Sequence, residues 1–311
     1  MLSLGKPSPL LDAASAVAPE HGARHRFAVN IAPEWTTQHS VLGGFLNVMI
    51  LSAAQKFISQ EFGGARYPDP IHVFVQFLKT VVPGLVSLRC TCLRVSSRQC
   101  VVRVELTQTR SQPPARDSAS TAAPEQPAAV AIVTYAAMAK EQGLTQDSSS
   151  IGPSQIPDRV RDCEVIDDPV VDATPVTSKL NWRAPRGSNG LWGHRLGGHQ
   201  REVWVSFRDG SAISDVLHLA LLSDMPLQPP ATHQPKFYDQ YGLSTLCLSV
   251  EFKKRPQPST QWVLVKSNST TVRHGRYDVQ VQILAENGDL LALSHHVLHI
   301  FGLRVREKSK I

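Results

Sequence analysis

The sequence predicts an α+β protein made of two similar halves, in each of which a buried helix is followed by four antiparallel strands. Two observations support this prediction. First, a strand, an apolar helical segment and four strand-like segments follow one another twice within the 311 residues. Second, the halves share short segments: residues 75–79 read VQFLK and residues 250–254 read VEFKK, each before a turn that contains proline. An internal repeat is stronger evidence for a fold than any single segment.

The first half is predicted at residues 24–140, after an N-terminal extension at residues 1–23. Residues 24–31 alternate as a strand does. The segment 39–62 reads as one long helix that is apolar on most sides, which indicates burial almost all round. Ser40 is a suitable N-cap for that helix. The four strands that follow are predicted at residues 71–79, 85–95, 99–108 and 129–139.

The second half, residues 196–311, repeats this plan after a polar, proline-bearing linker at residues 141–195. A strand begins at Arg201, and residues 209–225 read as a turn and a helix. Four more strands are predicted at residues 243–254, 260–269, 277–284 and 290–303. In the first half, residues 109–128 are rich in Pro, Ser and Ala and are predicted to form a long flexible loop. We expect the two sheets to join, because pairing removes an exposed edge strand.

The overall composition is that of a globular protein, with 42% hydrophobic and 19% charged residues. The formal net charge is +6, but the basic residues form no stripe and only 6% of residues are aromatic, which argues against nucleic-acid binding. A mild positive charge still favours an anionic ligand. The sequence also lacks a Gly-x-Ser-x-Gly motif, a phosphate-binding Gly-Lys-Ser/Thr loop and a dinucleotide fingerprint.

Several features predict an intracellular protein. No apolar run reaches membrane-spanning length, and the proline-broken N-terminus does not fit a secretory signal. The cysteines are odd in number and form no zinc pattern, which predicts reduced thiols; they are Cys90, Cys92, Cys100, Cys163 and Cys247. A cytoplasmic location is expected. The final residues, Ser309-Lys310-Ile311, resemble the Ser-Lys-Leu address, so a peroxisomal location is the alternative.

The order of elements and several segments resemble the double-hotdog acyl-CoA thioesterases, and more narrowly the fungal thioesterase-like proteins related to bacterial thioesterase II. The resemblance covers about residues 25–305. The segments that carry it are LGGFLNVMILSAA from Leu42, IHVFVQFLKTVVPG from Ile71, REVWVSFRDG from Arg201, LALLSDMPL from Leu219 and LSVEFKKRP from Leu248. It implies a double hotdog, with two long central helices, each wrapped by a curved antiparallel sheet, and the sheets joined into one.

The resemblance also implies a catalytic trio in the second half. In thioesterase II enzymes an Asp late in the helix, a Thr on the next strand and a Gln on the last strand position the attacking water. These roles fall on Asp224, Thr245 and His296, so that a histidine replaces the glutamine. Imidazole can donate or accept a hydrogen bond. His296 could therefore hold the water, or act as the base with Asp224 orienting it.

Strand alternation bears on each candidate. Thr245 is predicted to point away from the helix unless a bulge turns it, because the opposite face of its strand carries Leu246, Leu248, Val250 and Phe252. His296 lies on a face of small and apolar residues that suits a pocket, whereas His295 and His299 lie on the other face. Asp224 precedes Met-Pro, a position where an aspartate also commonly makes a turn.

Candidate substrate-binding residues lie near the predicted helix starts. Free N–H groups and the positive dipole end can stabilise a developing oxyanion. Gly43 and Gly44 in the first half, or Gly210 and Ser211 in the second, would let a thioester carbonyl approach closely. Tight helix packing explains Gly43 and Gly44 equally well. His39, just before the first helix, is a further candidate.

Three functions remain open from the sequence. The first is hydrolysis of an acyl thioester carried by CoA or by an acyl carrier. The second is a repurposed cyclase, dehydratase or isomerase of a fungal polyketide or terpenoid pathway, in which Asp224 and His296 move protons. The third is a non-catalytic acyl- or lipid-binding protein. The expected partners are acyl-CoA, a carrier-bound acyl chain or a free apolar small molecule; no metal, cofactor, nucleic acid or membrane insertion is expected, and relatives suggest a homodimer.

Overall fold

The computed structural model describes residues 8–37, 40–108, 126–145, 156–166, 172–186, 199–225 and 237–303. The helices are α1 (Pro9–Ser15), α2 (Gly43–Phe62), α3 (Val216–Leu222) and α4 (Phe237–Gln240). Short 3-10 helices lie at Pro33–Trp35, Met138–Lys140 and Thr177–Lys179. The strands are β1 (Ala18–Pro19), β2 (Arg26–Ile31), β3 (Thr36–Thr37), β4 (Ser40–Val41), β5 (Asp69–Phe77), β6 (Gly84–Val95), β7 (Cys100–Thr107), β8 (Ala129–Ala136), β9 (Cys163–Val165), β10 (Leu180–Pro185), β11 (Gln200–Phe207), β12 (Tyr241–Phe252), β13 (Val263–Asn268), β14 (Val272–Arg273), β15 (Arg276–Leu284) and β16 (Leu290–Gly302).

The architecture is one large antiparallel sheet with few helices. Its order is β1-β2-β6-β7-β8-β5-β12-β16-β15-β13-β11-β10-β9, with β14 attached to β15. The strand order on one side of the β5–β12 junction mirrors the order on the other side. Counted outwards from the junction, β2 and β11 are each the fifth strand, and they precede α2 and α3 in the chain. At the junction Val75 pairs with Leu248 and Val73 pairs with Val250. Both halves of the chain therefore contribute to one hydrogen-bonded sheet.

Helix α2 lies in the core. Residues 44–54 are all buried, and the helix packs against α1, α3 and strands β6, β7 and β8. Burial on nearly every side explains why its sequence is apolar on nearly every side. The helix begins at Gly43 rather than at residue 39, and Ser40 lies in β4 instead of capping it.

The prediction of a second long helix is wrong, because α3 has only 7 residues. Its start is fixed at Asp215, whose Oδ1 accepts the Leu217 N–H at 2.9 Å. The Asp215 N–H in turn donates to His218 Nδ1 at 3.2 Å. Beyond its end, Pro226 disfavours helical geometry at the preceding residue. These two local signals limit α3 to about two turns.

Two segments outside the predicted halves are structured. The N-terminal extension contains α1, which buries Leu10 and Ala14 and packs against α2 and α3. The linker contributes β9 and β10, which extend the sheet beyond β11. Most of the predicted flexible loop, residues 109–125, and the C-terminal tripeptide lie outside the described residues. Within the described ranges, no helix is long and apolar enough to cross a membrane.

Candidate active site

Asp224 and His296 meet where the end of α3 packs against β16. Asp224 Oδ1 lies 3.6 Å from His296 Nδ1. Both residues are buried, with 5% of the surface of Asp224 and 0% of the surface of His296 exposed. In the part of the chain that the structure describes, neither of these two atoms has a hydrogen-bond partner. A separation of 3.6 Å is too long for a direct hydrogen bond, so the two atoms approach without bonding to each other.

The other ring nitrogen of His296 is held by its surroundings. Nε2 lies 3.1 Å from the Ser223 carbonyl oxygen and 2.9 Å from Ser294 Oγ. The Ser294 hydroxyl donates to the same carbonyl at 3.3 Å. Because a carbonyl oxygen can only accept, Nε2 carries the proton and Nδ1 presents a lone pair to Asp224. Burial lowers the pKa of His296 to about 3, so the ring is neutral at neutral pH.

The second oxygen of Asp224 is held by the other half of the chain. The Gly44 N–H, at the start of α2, donates to Asp224 Oδ2 at 2.6 Å. Leu42, the N-cap residue of α2, makes no side-chain capping bond. Asp224 caps the helix instead, although it lies 180 positions after Gly44 in the sequence. Burial raises the pKa of Asp224 to about 7, and the Gly44 hydrogen bond opposes that rise. Near neutral pH the carboxyl group is therefore close to half-ionised.

Gly43 and Gly44 allow α2 to begin directly against the turn that carries Asp224. A Cβ on Gly44 would lie 2.7 Å from both the Leu221 carbonyl oxygen and Asp224 Cβ. A Cβ on Gly43 would lie 3.0 Å from Asp224 Oδ2 and from Phe77 Cζ. Close packing thus accounts for both glycines, and Gly44 also positions the carboxylate through its N–H.

A β-bulge determines the orientation of Thr245. The register of β12 against β16 shifts between Thr245 and Cys247, so that Thr245 pairs with Leu298 while Leu248 pairs with His296. Paired residues share a face of the sheet, as do residues two apart in a strand. Thr245 therefore lies on the same face as the buried His296. Uninterrupted alternation would place it on the opposite face, and the bulge is the physical reason for the difference.

Gly210 and Ser211, two other predicted substrate-binding residues, do not join this cluster. Gly210 and Ser211 lie in the turn between β11 and α3, before the Asp215 cap, whereas Asp224 follows the opposite end of α3. Helix α3 does not begin at that turn, so the expectation that its first N–H groups lie beside these two residues is corrected. His39 lies outside the described residues.

Two neighbours of His296 were not singled out by sequence reasoning. Ser294 and the Ser223 carbonyl fix the ring, and the signal for Ser294 was its position two residues before His296 on the same face. The outward histidines, His295 and His299, are exposed. Within the described ranges no group of three or more His, Cys, Asp or Glu side chains could hold a metal ion.

Residues 31–136 match the acyl-CoA thioesterase N-terminal domain, and residues 157–300 match the acyl-CoA thioesterase C-terminal domain. No curated protein sequence matches this chain.

Three solved structures illustrate the structural likeness. A conserved protein of unknown function with a hot dog fold from Alicyclobacillus acidocaldarius has 16% identity and a TM-score of 0.71, over 95% of this chain and 99% of that one. A proposed thioesterase II from Thermobifida fusca YX has 15% identity and a TM-score of 0.71, over 96% and 99%. An acyl-CoA thioesterase II from Mycobacterium marinum has 15% identity and a TM-score of 0.62, over 92% and 96%. At these identities the likeness shows the hotdog fold, and the two family matches, in the order of the two domains, show that the chain belongs to the acyl-CoA thioesterase family.

Proposed function

We propose that this protein hydrolyses acyl thioesters, carried by CoA or by an acyl carrier, with Asp224 as the general base. The observation that carries the proposal is the approach of Asp224 Oδ1 to His296 Nδ1, two buried atoms without other partners in the described residues. Membership of the acyl-CoA thioesterase family supports the substrate class. The mirrored strand order supports the interpretation of each half as one hotdog, with α2 and the shorter α3 as their helices.

The pair can orient a water molecule for attack. A water that donates one hydrogen to Asp224 Oδ1 and the other to His296 Nδ1 keeps its lone pairs for the thioester carbon. Asp224, with a pKa of about 7, is the better base at neutral pH than His296, with a pKa of about 3. We therefore assign proton abstraction to Asp224 and orientation to His296, and we place the Thr245 hydroxyl among the groups that line the same face.

The reaction then proceeds in two steps. The water oxygen bonds to the carbonyl carbon, one proton passes to Asp224, and negative charge develops on the carbonyl oxygen. The C–S bond then breaks, and the departing thiolate takes the proton from Asp224, leaving a carboxylic acid and a free thiol.

We assign stabilisation of the developing charge to the start of α2, because the positive end of a helix dipole favours an oxyanion. The N–H groups of Gly44, Phe45 and Leu46 already donate to Asp224 or to the Leu42 carbonyl. Within the described part of the chain, this leaves the Gly43 N–H as the helix-start donor for the substrate.

The test is a panel of acyl-CoAs of increasing chain length, with released thiol as the measurement. We expect the unaltered protein to release thiol from part of the panel and Asp224→Asn to release almost none. No release at any chain length would contradict hydrolysis. Binding of acyl-CoA without cleavage would favour the cyclase, dehydratase or isomerase alternative. Equal binding after replacement of both Asp224 and His296 would favour a non-catalytic acyl-binding protein.

A further inference from the structure

Asn47 is a buried polar residue that the catalytic scheme does not use. It lies on α2, and none of its surface is exposed. In the described part of the chain neither its side-chain oxygen nor its side-chain nitrogen has a hydrogen-bond partner. Buried amides are nearly always paired, since leaving one unpaired costs free energy. The unpaired amide of Asn47 is therefore available to pair with a ligand atom.

Helix geometry places Asn47 on the side of α2 that faces Asp224. An α-helix turns about 100° per residue, so Asn47 projects about 40° from Gly43 and about 60° from Gly44, between the two. A Cβ at either glycine would contact Asp224. With a rise of about 1.5 Å per residue, Asn47 lies roughly 4.5–6 Å deeper along the helix axis than these glycines. Its side chain thus starts about one turn inside the point where Asp224 caps the helix.

The Asp224–His296 pair supplies acceptors and needs a donor opposite. The carboxylate Oδ1 and the Nδ1 lone pair can both hold a water by its hydrogens. Neither can stabilise negative charge on the thioester oxygen. That oxygen needs positioned N–H or O–H donors, and a carboxamide nitrogen carries two N–H groups.

We propose that the side-chain N–H of Asn47 donates to the carbonyl oxygen of the bound acyl thioester, and so helps the Gly43 N–H to hold the oxyanion. This inference rests on the proposed thioesterase function and names a further residue for it. Asn47 would place the carbonyl carbon within reach of the water held by Asp224 and His296.

The first test compares Asn47→Leu, which keeps the branched shape but removes the donor, with the unaltered protein. We expect kcat for acyl-CoA hydrolysis to fall on the order of 10²-fold, as for loss of one oxyanion donor, with KM changed by less than about threefold because the acyl chain and CoA still bind. We expect the thermal midpoint to stay the same or rise, since an unpaired amide is removed. Asn47→Ala is the second variant, in case leucine overpacks the site.

Ser52→Ala is the matched control. Ser52 lies on the same helix, is 6% exposed and also has a hydroxyl without a partner in the described residues. It lines a separate cavity of about 270 Å³ whose walls include Val216 at the start of α3, the end opposite Asp224. We expect its kcat to stay unchanged. A kcat within twofold of normal in both Asn47 variants, or a lower midpoint with normal turnover, would overturn the inference.

A binding experiment separates failure of this inference from failure of the proposed function. An acyl-CoA ketone, with CH₂ in place of sulfur, keeps the carbonyl but cannot be hydrolysed, and an alkyl-CoA thioether lacks the carbonyl. We expect the unaltered protein to bind the ketone more tightly than the thioether, and Asn47→Leu to abolish that difference, whether or not the protein hydrolyses thioesters. A difference that persists in Asn47→Leu, or no difference in the unaltered protein, would overturn the role of Asn47.

Discussion

Two buried histidines lie near the two ends of α3 in contrasting surroundings, His218 in the helix itself and His296 on β16. At its start, His218 lies within the Asp215 cap, with Nε2 2.9 Å from Ser8 Oγ and Nδ1 accepting the Asp215 N–H at 3.2 Å. Beyond its end, His296 approaches Asp224. Both rings have no exposed surface. Burial lowers both pKa values, to about 4 for His218 and about 3 for His296.

The difference lies in the second ring nitrogen. Both nitrogens of His218 are paired, so this ring holds α1 and the start of α3 together. Because its Nδ1 accepts, its Nε2–H donates to Ser8 and cannot take the serine proton; the Ser8–His218–Asp215 group is therefore not a catalytic triad. Among the described residues His296 pairs only one nitrogen, and the other lies towards the Asp224 carboxyl group. Residue type and burial alone do not distinguish these two histidines, whereas a complete count of their hydrogen bonds does.

The largest expected effect is on the aspartates at the two ends. Asp224→Asn should lower kcat by about 10³-fold, within the usual range for loss of a general base. The fold should persist, since an asparagine oxygen can still accept the Gly44 N–H. Asp215→Ala should leave kcat unchanged and reduce the free energy of unfolding by about 1 kcal/mol through loss of the cap. Steady-state thiol release and urea unfolding measure the two effects, and retention of a tenth of the activity in Asp224→Asn would exclude it as the base.

Substitution of the two histidines should likewise affect turnover at His296 and stability at His218, with a smaller loss of turnover than in Asp224→Asn. His296→Leu removes the acceptor for water and should lower kcat by about 10²-fold. His296→Gln should retain more activity, because an amide can donate to the Ser223 carbonyl and still offer an oxygen to the water. His218→Leu should keep normal turnover but reduce the free energy of unfolding by about 1–3 kcal/mol, because the Ser8 hydroxyl and Asp215 N–H lose their partner. Equal turnover in His296→Leu and His296→Gln would contradict a polar role for position 296.

Substitution of Gly44 tests how closely α2 and the turn that carries Asp224 must pack. In Gly44→Ala the new Cβ would meet the Leu221 carbonyl at 2.7 Å, so α2 and the Asp224 turn must separate. We expect a loss of about 1–3 kcal/mol in the free energy of unfolding, and lower turnover because the bond to Asp224 lengthens. Gly43→Ala is the matched variant: its 3.0 Å contacts are the ends of the Asp224 and Phe77 side chains, which can move. Equal stability of the two variants, measured by urea unfolding, would show that the backbone contact at Gly44 does not limit packing.

The repeated plan of strand, helix and four strands was readable from the sequence because its apolar pattern is regular. The joining of the two sheets was also expected, because pairing removes an exposed edge strand. The burial of α2 was predicted because its sequence is apolar on nearly all sides. The length of α3 was harder to predict, because it depends on two local signals: the Asp215 cap fixes where the helix begins, and Pro226 limits where it ends. Strands β9 and β10 lie in a polar stretch whose pairing is set by the edge of β11, a partner that is distant in sequence.

The candidate site was only partly readable. Asp224 and His296 could be named from a family resemblance, but their approach depends on packing between residues 72 positions apart. The orientation of Thr245 depends on a β-bulge, and the alternation of residues in the sequence does not show where a bulge lies. Asn47 gave no signal, since a single polar residue in an apolar helix identifies itself only when its partners are known.

The last expected effect concerns the pH dependence of stability, to which the two histidines and Asp224 contribute with different signs. The folded-state pKa of His218 is depressed to about 4, so its contribution is complete above about pH 6.5, the usual pKa of an unfolded histidine, and is lost as pH falls towards 4. His296 behaves in the same way, down to about pH 3. Asp224 has the opposite sign: its pKa is raised to about 7, so its contribution is complete below about pH 4 and is lost as pH rises to 7.

Between about pH 4.5 and 6.5 the contributions of Asp224 and His296 should therefore nearly cancel, because folding in effect moves one proton from the imidazole to the carboxyl group. The contribution of His218 has no such partner. One proton corresponds to about 1.4 kcal/mol per pH unit. His218→Gln should flatten the rise of unfolding free energy with pH by up to that amount, whereas Asp224→Asn should steepen it by a similar amount. Urea unfolding at pH 4.5, 5.5 and 6.5 measures how the free energy of unfolding changes with pH in each variant. The unaltered protein is the control, because it shares all other titrating groups with the variants. A change of slope with the same sign in both variants would contradict the charge states assigned to His218 and Asp224.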